Sequence, residues 1–93
     1  MNKDLSIVCR RMLDQHDGFA AQKDIIIGEI GELLTLFGKQ RQGRAKKDSW
    51  IDEIADVMIA LKQLQIMHSI SDDEIEQRID FKVRRTKERF ELE

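Results

Sequence analysis

Apolar residues along this chain of 93 residues recur with a helical period and not with the alternation of a strand. Leu5, Val8, Cys9, Met12 and Leu13 fall at i, i+3, i+4, i+7 and i+8. That is the stripe of a half-buried helix over about residues 3–15, with Arg10, Arg11, Asp14 and Gln15 on its other face. His16-Asp17-Gly18 reads as its stop, with Gly18 suited to a left-handed cap and His16 a helix-end residue. A second helix is expected from about Ala20 to Phe37, ending at Gly38. A third begins at an Asp48/Ser49 cap and runs to about Met67, with His68 closing it. Ser71-x-x-Glu74 is a capping box, and Ile70 with Ile75 makes the matching hydrophobic staple. The fourth helix therefore starts there and reaches about Phe90, with Ile75, Ile79, Val83 and Phe90 as a thin seam. Four helices with short connections predict an all-α, antiparallel four-helix bundle-like protomer, one domain over residues 1–93.

Two places break the apolar pattern. At 100° per residue, Ile25, Leu36, Leu33, Ile26, Phe37 and Ile30 form one arc of the second helix. Glu29 falls inside that arc and Glu32 at its edge. On the third helix Trp50, Leu61, Ile54, Met58, Val57, Leu64 and Ala60 form the arc, with Glu53 inside it and Asp56 just beyond. Each pair is spaced i, i+3, so its two carboxylates project from one face. No Lys or Arg lies three or four residues from any of the four. An unpartnered carboxylate in a partly apolar cleft is penalised or neutralised by a pKa shift. A divalent cation is the simplest compensation, and hard cations such as Mg2+ and Mn2+ take carboxylate oxygens. The alternative is that these acids border solvent or pair with cations from elsewhere. Gly28 and Gly31 flank Glu29, and close approach of a neighbouring helix or ligand would explain them.

Composition narrows the classes. The formal net charge of −2 and pI near 5.7 argue against a nucleic-acid partner. There is no Pro and there are only five Gly, a helical composition. No apolar run approaches a membrane span, and the start lacks a signal-peptide core, so a cytoplasmic protein without a membrane partner is expected. The single Cys9 cannot form an internal disulfide and falls in the apolar stripe as inert core. Residues 92–93 have the look of a cloning scar. The stretch GKQRQGRAKKD sets Lys39, Arg41, Arg44, Lys46 and Lys47 against Asp48 alone. It reads as a solvated loop or as a lid whose cations meet phosphates. Arg78, Lys82, Arg85 and Arg89 share one stripe of the last helix. Trp50 reads as a core anchor, with contact to a base as the alternative.

Carboxylates with peripheral cations fit phosphoryl chemistry. A Ser-His-Asp set, a zinc pair of His and the Glu-x-x-His repeats of a di-iron bundle are all missing from the sequence. A glycosidase pair needs a saccharide cleft that a small bundle does not readily offer.

Gln22-Lys23 leading into GEIGELL, a polar loop, then DEIADVMIAL and a late Lys82-x-x-Arg85 resemble the MazG-like nucleotide pyrophosphohydrolases of the all-α NTP pyrophosphatase superfamily. The similarity covers about residues 22–89. It implies Mg2+-dependent hydrolysis of a nucleoside triphosphate to the monophosphate and pyrophosphate, as in nucleotide-pool house-cleaning. Carried over, Glu29, Glu32, Glu53 and Asp56 would hold the metal. Glu32 or Glu53 would also orient the attacking water, and Lys82 and Arg85 would contact phosphate. Lys39 and Arg44 join them as loop cations. The family works as a homo-oligomer, a dimer or tetramer, with sites built partly across subunits. One departure is that relatives commonly have E-E-x-x-E where this chain has Gly28-Glu29, which bears on metal number or affinity. Phosphoribosyl-ATP pyrophosphohydrolase shares the acid pattern and stands as an alternative, and so does a catalytically silent helical interaction module.

Overall fold

The computed structural model describes residues 2–15 and 18–90, the side chains of residues 15, 18 and 19 excepted. The expected features at His16, Asp17 and residues 92–93 lie outside the described residues. The chain order is α1 (Leu5–Gln15), α2 (Gly18–Arg41), α3 (Lys47–Met67) and α4 (Asp72–Phe90). All four expected helices are present, and the described residues contain no strand. None of these helices is long and apolar enough to cross a membrane.

The ends of the helices depart from the sequence reading in informative ways. Gly18 opens α2 and does not cap α1. Gly38 does not stop α2, because a helix tolerates a lone glycine at a cost of about 1 kcal/mol when backbone bonding continues. The stop comes at Gly43, at φ +72°. There the Arg44 N–H donates to Lys39 C=O (2.8 Å) and the Gly43 N–H to Gln40 C=O (2.9 Å). These are the paired bonds of a Schellman cap. The supposed lid therefore shrinks to a turn at residues 42–46, and Lys39 and Arg41 ride on the last turn of α2. Helix α3 begins earlier than Asp48/Ser49. Lys46 occupies its N-cap without a side-chain hydrogen bond, and Asp48 lies in the first turn, beside the positive end of the dipole.

At its other end α3 repeats the same cap with a less suited residue. Ser69 takes φ +56°. Its N–H donates to Ile66 C=O (3.1 Å), and the Ile70 N–H donates to Gln65 C=O (3.0 Å). The capping box of α4 forms as read. The Glu74 N–H donates to Ser71 Oγ (3.1 Å), and Glu74 Oε1 accepts from the Ser71 N–H (3.4 Å) and hydroxyl (3.1 Å).

Helices α1, α2 and α3 pack on one another, with α2 and α3 in the most extensive contact. Ile26, Ala60 and Met67 form the core cluster, with Leu13 and Leu64 against it, and Cys9 is fully buried. Burial raises the Cys9 thiol pKa, in keeping with an inert core residue.

Helix α4 does not complete a bundle. It packs on none of the other three helices, and every residue from 72 to 90 is exposed. The Lys62–Asp72 ion pair (2.6 Å) and a Gln65 bond to the same carboxylate (2.7 Å) fix only its first residue. The radius of gyration, 16.1 Å, accordingly exceeds the ~12 Å of a compact chain of this length. Apolar arcs on α2 and α3 are also only partly covered. Ile26 and Leu36 are buried, but Ile25, Phe37, Ile54 and Leu61 are about half exposed.

Candidate metal centre

The turn at residues 42–46 folds α3 back along α2, and this alignment brings the two acid pairs together. One carboxylate oxygen from each of Glu29, Glu32, Glu53 and Asp56 lies within 4.8 Å of the others. Glu29 and Glu53 are half-buried, while Glu32 and Asp56 are exposed. Glu29 Oε2 and Glu53 Oε1 are buried without a hydrogen-bond partner among the described residues. Burial, with the negative charge of Glu32 and Asp56 beside it, raises the Glu29 pKa. Burial likewise raises that of Glu53, together with the charges of Glu32, Asp56 and Glu29. Shared protons or a cation would relieve both. Four carboxylates, two with orphaned oxygens, form an oxygen-only donor set of the kind hard divalent cations take. The residues present therefore fit a metal ion.

The antiparallel pairing has a regular register. Glu32 and Glu53 are equally far along the chain from the Gln42-Gly43 turn, and so are Glu29 and Asp56. A third pair obeys the same rule, Gln22 and Gln63. Both are almost wholly buried, at 1% and 2% exposure. With Glu29 and Asp56 they line one cleft of about 120 Å³. Sequence reasoning passed over these glutamines. The available signal was position: Gln22 lies four residues before Ile26, and Gln63 lies between Ala60 and Met67, so each is a polar residue in the buried stripe.

The other expected site residues are distributed unevenly. Trp50 is half-buried at the turn end of α3 and meets Phe37 edge-on, with ring centroids 5.0 Å apart and planes at 72°. Lys39 sits seven residues beyond Glu32 on α2, about 10 Å along the axis, and Arg44 lies in the turn. Lys82 and Arg85 are on α4, which does not pack on α2 or α3 and is tied to α3 through Asp72 at its start, so a single chain does not bring them to the acids through helix packing. The Arg85 guanidinium instead lies over the Phe81 ring, 5.8 Å from its centroid. Gly28 and Gly31 do not mark close approach within the chain, since a Cβ at either would meet nothing within 4 Å.

No family model, curated protein or solved structure matches the chain. The likeness to MazG-like enzymes rests on the quoted motif residues alone.

Proposed function

We propose that the chain is a metal-dependent nucleoside triphosphate pyrophosphohydrolase, releasing pyrophosphate and a nucleoside monophosphate. The observation that carries this reading is the convergence of four acids from two helices within 4.8 Å, with orphaned oxygens on Glu29 and Glu53. Glu29, Glu32, Glu53 and Asp56 would hold Mg2+ or Mn2+. When bound, the ion supplies charge neutralisation and polarisation of phosphate oxygens. The chain's own residues supply the rest. Glu32 or Glu53 accepts a hydrogen bond from the attacking water and fixes its direction. Lys39 and Arg44, at the turn end of the hairpin, attract the polyphosphate and hold its far end.

Lys82 and Arg85 do not reach the acids by helix packing within one chain, and the surface of α4 favours an assembly. Ile75, Ile79 and Phe90 are exposed along it. Its first half carries Asp72, Asp73, Glu74, Glu76 and Asp80 against Arg78, and its second half Lys82, Arg84, Arg85, Lys87 and Arg89 against Glu88. A second copy laid antiparallel about a two-fold axis sets each acidic half against a basic half and covers the apolar seam. Sedimentation at micromolar concentration should give a dimer or tetramer that loosens with added salt. A monomer at all concentrations would refute this pairing.

The deciding assay for the reaction is pyrophosphate release from a panel of ribo- and deoxyribonucleoside triphosphates, with Mg2+, with Mn2+ and with EDTA. Metal-dependent monophosphate and pyrophosphate support the reading, and turnover confined to phosphoribosyl-ATP would move it to that substrate. The uncovered apolar surface equally suits a silent interaction module, which silence across the panel from folded protein would favour.

A further inference from the structure

Buried amides are almost always hydrogen-bonded, and leaving a donor or acceptor unpaired is costly. Gln22 Oε1 and both polar atoms of Gln63 are buried without a partner among the described residues. The two carboxamides sit on facing helices and line one cleft, and nothing among the described residues completes them. The rest of that cleft is mostly apolar, with Met12, Ile26, Ile59 and Ala60 in its wall. Apolar walls with a few convergent polar groups are the ordinary make-up of a small-molecule site.

The chemistry of the two side chains selects among ligands. A carboxamide is uncharged and offers donors and an acceptor side by side. It suits neither a cation, which the acids would take, nor a phosphate, which the Lys and Arg side chains would take. It matches the edge of a neutral heterocycle, where N–H and C=O or ring nitrogen alternate, as Gln pairs with adenine in nucleic-acid recognition. Position agrees with this. Gln22 precedes Glu29 by seven residues and Gln63 follows Asp56 by seven, about 10 Å along each axis. The order along the hairpin is thus carboxamides, carboxylates, then the cations of the turn.

We propose that the Gln22–Gln63 cleft is a nucleobase-reading subsite, in which the two carboxamides hydrogen-bond the base edge while the phosphates lie toward Glu29 and Asp56. This rests on the pyrophosphohydrolase reading for the direction of the nucleotide, and it places the base at the opposite end of the hairpin from Trp50. Ordered water is the competing occupant, since a cleft of about 120 Å³ holds a few molecules at about 30 Å³ each.

The test is binding rather than turnover. Adenosine, cytidine, guanosine and uridine 5′-monophosphates, with ribose 5-phosphate as the base-free control, are titrated calorimetrically into the full chain with Mn2+. Wild type, Gln22→Met and Gln63→Met are compared, and Gln63→Asn is the second variant in case an apolar replacement fails to fold. At least one base should bind ten-fold or more tighter than ribose 5-phosphate, and that margin should collapse in each variant while Mn2+ binding is unchanged. Loss of base discrimination in a chain that hydrolyses nothing would sustain the subsite and sink the hydrolase reading. Equal binding of all five ligands to wild type would overturn the subsite, whatever the hydrolysis assay gives. So would unchanged discrimination in the variants, the outcome expected if water alone fills the cleft.

Discussion

Replacing Glu29 by Gln separates a metal site from a structural ion-pair network, because the two predict opposite changes in stability. The substitution keeps the shape of the side chain and removes one charge from a cluster in which three other carboxylates approach within 4.8 Å. A pair of unit charges at that distance repels by about 0.9 kcal/mol at the dielectric of water. Solvent exposure and salt reduce the sum of the three, leaving about 1 kcal/mol of relief. For a chain of this size that amounts to about 5 °C in the melting midpoint. A metal works in the other direction. At a free concentration one hundred times its dissociation constant it stabilises the protein that binds it by about 2.7 kcal/mol. Thermal melts at fixed protein concentration should therefore cross. In EDTA the Glu29→Gln variant melts higher than wild type, and in saturating Mg2+ or Mn2+ wild type melts higher than the variant. A variant that melts lower in EDTA would show that Glu29 has a cationic partner and would refute the reasoning. An undiminished metal-induced rise in the variant would remove Glu29 from the ligand set.

The raised pKa values of Glu29 and Glu53 make the metal-free folded protein bind protons more readily than the unfolded chain, whose carboxylates titrate near 4.5. Their contribution is complete below the unfolded value and is lost as pH rises through the raised values, so melting in EDTA should be higher near pH 5 than near pH 7. Asp72, lowered by its bonds to Lys62 and Gln65, contributes above its ordinary 3.8 and loses that only in stronger acid, outside this window. A flat or opposite profile would mean the acids are compensated in the free protein. Ser69→Gly should raise stability by about 1 kcal/mol in denaturant titrations, because it removes a side chain from the left-handed cap while keeping both cap bonds. Gly28→Ala and Gly31→Ala should each gain up to about 1 kcal/mol in EDTA, since the added methyl meets open space. A loss of stability at either position would reveal a covering surface from another copy.

Much of this architecture is legible in the residues because local rules govern it. The acid pairs stand out as charges inside apolar arcs, and the Ser71–Glu74 box fixes the start of α4 through bonds between near neighbours. What escapes depends on long-range geometry or on cost balances. Gly38 looks like a stop, but the backbone of Lys39 and Gln40 finds its closing bonds only at Gly43 and Arg44. The seam of Ile75, Ile79 and Phe90 is legible as apolar periodicity, and periodicity does not say that the rest of the chain leaves it exposed. Gln22 and Gln63 are visible only as interruptions of a hydrophobic stripe. Their meaning depends on knowing that they face one cleft.

The three rungs of the α2–α3 hairpin are indexed from a single point, the turn at Gln42-Gly43, and this determines which length changes the chain can absorb. Extra residues inserted at the exposed turn lengthen the connection and leave each rung paired. Deleting one residue between Glu32 and Gly38 rotates the rest of α2 by about 100° against the stretch before it. Because α3 docks through both stretches, Gln22, Glu29 and Glu32 then lose their places opposite Gln63, Asp56 and Glu53 together. The acid cluster and the glutamine-lined cleft share one mechanical reference. A frame of this kind tolerates many substitutions and almost no slippage.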